Sequence, residues 1–118
     1  MSGGYFDYKQ ANIDYIIDEL EEVINKNGKL KTQEELKEES WHDYDWYKKY
    51  PEDLYHKKYS DETINEFKNG LNYLKLASIY CRRIDYLLSN DDGEESFRNR
   101  LEEALKKFKN DENVIFIQ

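Results

Sequence analysis

"SDETINEFKNGLNYLKLASIYCRRIDYLLS", residues 60–89, decides the fold. Ile64, Phe67, Leu71, Leu74, Ser78, Cys81, Asp85 and Leu88 recur at steps of three and four, which is the spacing of one helix face. Ala77, Tyr80, Ile84 and Leu87 form a second stripe beside it. Two adjacent stripes predict a helix buried over a wide face. Ser60 is its N-cap. The helix spans about 61–89, roughly 40 Å at 1.5 Å per residue, and is the scaffold of the chain.

Working outward, Ile13, Ile16, Ile17, Leu20, Val23 and Ile24 step by 3, 1, 3, 3 and 1. That stripe predicts a helix over about 8–27, closed by Gly28 at C′. On the other side "SNDDGEES" breaks the long helix. Asp91 or Asp92 can cap a last helix, with Glu94 or Glu95 at N3. Phe97, Leu101, Ala104, Leu105 and Phe108 give that helix one apolar face over about 93–109. Between the first two helices, Thr32 and Glu35 read as a capping box for a short helix. The tail Val114-Ile115-Phe116-Ile117 is apolar and expected to dock on the bundle or at a subunit interface. No strand pair, repeat or low-complexity linker is evident. The expectation is one all-α domain over 1–118, a small bundle of three main helices with short helices in 32–58.

The chain has 118 residues, 38% hydrophobic, 37% charged and 15% aromatic. Large rings replace many aliphatics in a small core. The net charge is −8, with 26 acids against 18 bases, which argues against binding along duplex DNA or long RNA. A small phosphate-bearing ligand needs only two or three local cations and stays possible. Cys81 is the only cysteine, so an intrachain disulfide is excluded; on the apolar side of the long helix it reads as core. No stretch has the length of a signal peptide or a membrane span, and Ser2 after Met1 does not match a myristoylation signal. The expected setting is cytoplasmic, with no membrane partner.

Residues 41–59 hold seven Trp and Tyr, among them both Trp of the chain, and both His and the only Pro lie there too. Trp41, Tyr44 and Tyr47 step by three; Trp46 and Tyr50 step by four. The spacing fits one or two short helices bent at Tyr50-Pro51. The rings serve either as core and rim, as a partner-binding patch, or as a stacking surface for a flat ligand. His42 and His56 lack the converging ligands of a zinc centre, so no metal is expected. No nucleophile motif or glycine-rich phosphate loop appears, so no catalytic residue and no cofactor is assigned. Arg82-Arg83 has two readings. It is either an Arg–carboxylate pair between helices or a rigid guanidinium grip on phosphate or carboxylate.

Two blocks carry a resemblance. "SGGYFDYKQANIDYIIDELEEVI" and "YSDETINEFKNGLNYLKLASIYCRRIDYLLSNDDGEESFRNRLEEAL" resemble small hypothetical proteins of phages and prophages, with an SGG-aromatic-FDY start and an RIDxLLSxDDGEESFxxRL block. The resemblance implies a phage accessory protein in a bacterial cytosol, of a kind that often counters host defence. It implies no site residue.

The leading expectation is a non-catalytic sponge for a nucleotide immune signal, either a cyclic oligonucleotide or an ADP-ribose type. Its candidate ligand residues are Tyr5, Tyr8, Trp41, Tyr44, Trp46, Tyr47, Lys48, Tyr50, Arg82 and Arg83. The alternative is an acidic inhibitor of a host protein. Asp18, Glu19, Glu21, Glu22, Glu34, Glu35, Glu38 and Glu39 would then meet a basic surface, even as a nucleic-acid mimic. What separates them is the placement of carboxylates: a mimic needs a row on one exposed face, a sponge a cavity with rings and an Arg. A homo-oligomer, a dimer, is also expected from the thin core and the apolar tail.

Overall fold

A computed structural model describes residues 4–39 and 44–111, Tyr44 by its backbone alone. The chain is all-α. Its elements are α1 (Ala11–Lys26), α2 (Gln33–Glu38), α3 (Tyr44–Lys49), a 3-10 turn (Pro51–Leu54), α4 (Asp61–Leu88) and α5 (Glu94–Lys109). Ser60 caps α4 by accepting the Thr63 N–H. Thr32 and Glu35 form the full capping box of α2. Gly28 follows α1 at φ 70, the left-handed conformation a C′ glycine adopts without penalty.

Two local expectations need correction. α1 starts at Ala11 rather than at 8, because Asp7 and Tyr8 take left-handed conformations (φ 54 and 61) that end any helix there. The N-cap of α5 is Gly93, without a side-chain bond. Asp91 and Asp92 instead close α4, their N–H groups donating to the Tyr86 carbonyl at 2.9 and 3.2 Å while Asn90 sits at φ 65. That is a Schellman ending with Asn90 at C′. No strand forms among the described residues, but an isolated antiparallel bridge, Leu30 to Tyr55, ties the link after α1 to the 3-10 turn. Bonds from Lys31 N–H to the Leu54 carbonyl and from His56 N–H to the Lys29 carbonyl, both 2.8 Å, flank it.

α1 and α5 both pack against α4, antiparallel to it, but share no substantial interface with each other. α1 lies along the α4 edge that holds Ser78 and Asp85; α5 lies along the edge with Ile79 and Arg83. Among the described elements only α1 and α5 pack along α4, and the core is thin. Only Ile17 and Ile64 are buried apolar residues among those described. The wide burial expected for α4 is therefore not reached, and Leu71, Leu74, Leu76, Ala77, Ile79, Cys81, Ile84 and Leu87 are half-covered. The molecule is long and thin, 63 × 36 × 16 Å with a radius of gyration of 19.7 Å. A compact domain of this length has about 13.5 Å.

Polar groups do much of the joining. Ser78 Oγ donates to Asp14 at 2.7 Å, and Arg82 pairs with the other Asp14 oxygen. Asp85, 8% exposed, accepts the Phe6 N–H at 2.8 Å, and Ser89 accepts the Tyr5 N–H at 2.7 Å. At the opposite end, Asn27 exchanges two side-chain bonds with the Tyr59 backbone. The apolar tail 114–117 lies outside the described residues.

Candidate functional site

Two clefts stand out. The larger, 1180 Å³, lies under the aromatic segment and is lined by Gly28, Lys31, Glu35, Glu38, Glu39, Glu52, Asp53, Tyr55, His56, Lys57 and Lys58. Its carboxylates are largely engaged. Glu39 accepts from Lys31 at 2.6 Å and from the Tyr47 hydroxyl at 2.8 Å. Glu35 accepts the Thr32 N–H at 2.9 Å and the Lys26 ammonium at 3.0 Å. Those two contacts, the Thr32 bond first, pull the Glu35 carboxyl down to about 2. The same ion pairs, with Glu22 first, raise Lys26. His56 Nε2 lies 2.8 Å from Glu35 Oε2, outside hydrogen-bond geometry. Burial first, then the Glu39 bond, pushes the Tyr47 phenol up to about 12. Five carboxylates line this cleft against three lysines and one histidine, a field that repels phosphate.

The smaller cleft, 490 Å³, lies between α4 and α5. Ile79, Arg82, Arg83, Arg100, Glu103, Ala104 and Lys107 line it. Four cations and one carboxylate line it; with Asp14 paired to Arg82 and Asp92 beside Arg83 and Arg100, one positive charge is left in excess, against the negative balance of the chain. The Asp92 carboxylate, 4% exposed, lies beside the guanidiniums, 3.4 Å from Arg100 and 4.0 Å from Arg83. The Arg83 guanidinium also rests over the Tyr86 ring, 4.5 Å from its centroid, a cation–π contact. Arg82 and Arg100 keep 54% and 59% of their side chains in solvent, so donors remain available to a ligand.

The sequence-derived site splits in two. Trp46 and Tyr50 stack on each other at 4.6 Å and 43°, and the Trp46 indole N–H donates to Asp53 at 2.7 Å. Tyr47 is taken up by Glu39, and Lys48 stands on the same short helix. Trp41 and the Tyr44 side chain lie outside the described residues. This group joins the bundle beside the start of α4, whereas Arg82 lies 21 residues further along it, about 30 Å at 1.5 Å per residue. Tyr5 and Tyr8 sit at the far end of α4, 63% and 59% exposed. Within one chain the Trp46, Tyr47 and Tyr50 rings and the arginines therefore do not meet.

Sequence reasoning missed Arg100, Glu103, Lys107, Tyr86 and Asp92. A signal was present: Arg100, Glu103 and Lys107 step by three and four along α5, one face of a helix. Arg82 reaches across to Asp14 of α1, an Arg–carboxylate pair between helices, while Asp85 accepts from the N-terminal backbone. No metal-binding group of three or more His, Cys, Asp or Glu forms among the described residues. No described helix is long and apolar enough to cross a membrane.

Comparison with protein families, curated proteins and solved structures found no match.

Proposed function

We propose that the protein binds a small phosphate-bearing ligand without chemistry on it, in the cleft between α4 and α5. The carrying observation is the convergence of Arg82, Arg83, Arg100 and Lys107 on one 490 Å³ cleft in a chain of net charge −8. The volume falls in the range of small-ligand sites, about 300–1,000 Å³. Planar guanidiniums suit bidentate contact with phosphate oxygens. The aromatic contribution comes from Tyr86 at the rim rather than from the Trp46–Tyr50 stack. Read with the resemblance to phage accessory proteins, such binding would hold a nucleotide immune signal away from its receptor.

The acidic-inhibitor reading is less well supported. Lys26 holds Glu22 and Glu35, Lys31 holds Glu39, and Lys75 approaches Glu21 at 3.7 Å. These lysines break up the row of carboxylates a nucleic-acid mimic would need, leaving Asp18, Glu19, Glu34 and Glu38 exposed.

A thermal-shift screen against cyclic di- and trinucleotides, ADP-ribose derivatives and inorganic phosphate tests the reading. A ligand at a hundred times its Kd adds about 2.7 kcal/mol. Arg100→Ala should cost at least tenfold in affinity, about 1.4 kcal/mol, while Trp46→Leu leaves binding unchanged. No shift with any nucleotide, or normal binding by Arg100→Ala, would overturn it.

A further inference from the structure

The charge of the α4–α5 cleft limits which phosphates it can hold. Arg82, Arg83, Arg100 and Lys107 stand against Glu103 in the lining and against Asp14 and Asp92 beside them. One positive charge is left over. A phosphodiester group carries one negative charge and is balanced there. A phosphomonoester carries about −1.5 to −2 at pH 7, and a di- or triphosphate carries more. The surplus has to be held inside a chain of net charge −8.

The order of charges along α5 adds a second constraint. Arg100, Glu103 and Lys107 follow one another at steps of three and four, so they stand in a row on one helix face. Their signs alternate. Arg100 and Lys107 are about 10 Å apart along the axis, with the carboxylate between them. Glu103 and Lys107 are exposed, and neither forms an ion pair or hydrogen bond among the described residues. Glu103 therefore offers a ligand an acceptor with no donor of its own. Contiguous phosphates bound at Arg100 would bring their second group against this carboxylate, which repels it. A phosphate followed by a ribose brings a hydroxyl to the same place, and the carboxylate accepts it.

On the reading of this cleft as a phosphate site, we infer that its ligand is a phosphodiester-linked nucleotide with a ribose hydroxyl between its phosphates. Arg100 and Lys107 take phosphate oxygens, and Glu103 accepts the hydroxyl. Glu103 at the same time excludes phosphomonoesters and contiguous polyphosphates. A cyclic dinucleotide with 3′,5′ linkages has this pattern. AMP and inorganic triphosphate lack it, and so does ADP-ribose, whose two phosphates are contiguous.

Calorimetric titration with cyclic dinucleotides of adenine, guanine and uracil, with AMP, with ADP-ribose and with inorganic triphosphate tests this. The tightest cyclic dinucleotide should bind at least about tenfold more tightly than any of the other three, a difference of about 1.4 kcal/mol. Lys107→Ala should weaken it about tenfold. Glu103→Gln keeps the shape and removes the charge. It should strengthen triphosphate and AMP by about threefold, the size of a surface charge effect, without strengthening the cyclic dinucleotide. Both residues are exposed, so circular dichroism at 222 nm should be unchanged in either variant. Binding that Arg100→Ala abolishes, but in which AMP, ADP-ribose or triphosphate equals the cyclic dinucleotides, would overturn the inference and leave the cleft as a phosphate site. So would Glu103→Gln affinities that rise equally for every ligand. If nothing binds, or Arg100→Ala binds normally, the phosphate site itself is refuted and the inference falls with it.

Discussion

Removing the Asp85 carboxylate tests how the N-terminus is held. Asp85 Oδ1 accepts the Phe6 N–H at 2.8 Å in a half-buried setting. A Cβ on Gly4, whose φ is +62, would come within 2.6 Å of Asp85 Oδ2. Asp85→Ala leaves the Phe6 donor without its acceptor, which costs about 1–3 kcal/mol. Taking about 2 kcal/mol, Tm falls by about 8 °C at roughly 4 °C per kcal/mol for a chain of this length. Asp85→Asn keeps an oxygen acceptor and should recover most of the loss. Gly4→Ala pays about 1–2 kcal/mol for the left-handed backbone plus the clash with Asp85. In the Asp85→Ala background the clash disappears and only the backbone cost remains. The two changes should therefore be non-additive by at least 0.5 kcal/mol, as expected for groups in contact. Urea unfolding followed at 222 nm, analysed as a double-mutant cycle, measures this. An Asp85→Ala loss under 0.5 kcal/mol, or strict additivity with Gly4→Ala, would refute the latch.

Four other perturbations have defined outcomes. Glu35 is depressed to about 2 from an ordinary 4.5, so its stabilisation is complete above pH 4.5 and is lost as pH falls toward 2; Glu35→Ala should flatten that part of the acid-unfolding profile, and parallel profiles would contradict the assignment. Tyr47 is raised to about 12, so it favours the fold below pH 10 and loses that effect as pH climbs toward 12; absorbance titration at tyrosinate wavelengths should lose its last-ionising tyrosine in Tyr47→Phe. Arg82→Ala should cost about 0–1 kcal/mol, because Arg82 is 54% exposed and Asp14 keeps Ser78. Arg83→Ala should cost more, because it takes a neighbouring cation 4.0 Å away from a carboxylate that is 4% exposed and leaves that charge less compensated; equal losses in urea melts would reverse that ranking.

Local signals translated well from sequence. The stripe of α4, the Ser60 cap, the Thr32–Glu35 box and the Gly28 stop each depend on residues within a few positions of one another. What was hidden depends on contacts across the chain. Ser78 and Asp85 entered the apolar stripe as anomalies, and no local rule says that their partners are Asp14 and the Phe6 N–H. The wide apolar surface of α4 was legible, yet periodicity does not reveal that α1 and α5 leave most of its apolar residues only half-covered. The aromatic segment drew attention by composition, but Trp46 meets Tyr50 and Asp53, and Tyr47 meets Glu39. The cationic cleft needed Arg100 and Lys107 of α5 beside Arg82 and Arg83 of α4, an adjacency set by how two helices pack.

The latch between Phe6 and Asp85 spans 79 positions, and this sets an order of events. α4 and α5 are joined by a short turn and can meet as a local hairpin, whereas α1 must close a loop through the whole aromatic segment. Closing a loop that long costs about 4 kcal/mol in the length-dependent part alone, before any latch contact offsets it. Helical hairpins form early and distant segments dock late. Slow docking would leave the apolar face of α1, with Ile13, Ile17, Leu20 and Ile24, in water during synthesis and refolding. That interval is when the chain is most open to aggregation, and its length depends on how fast the first ten residues find the far end of α4.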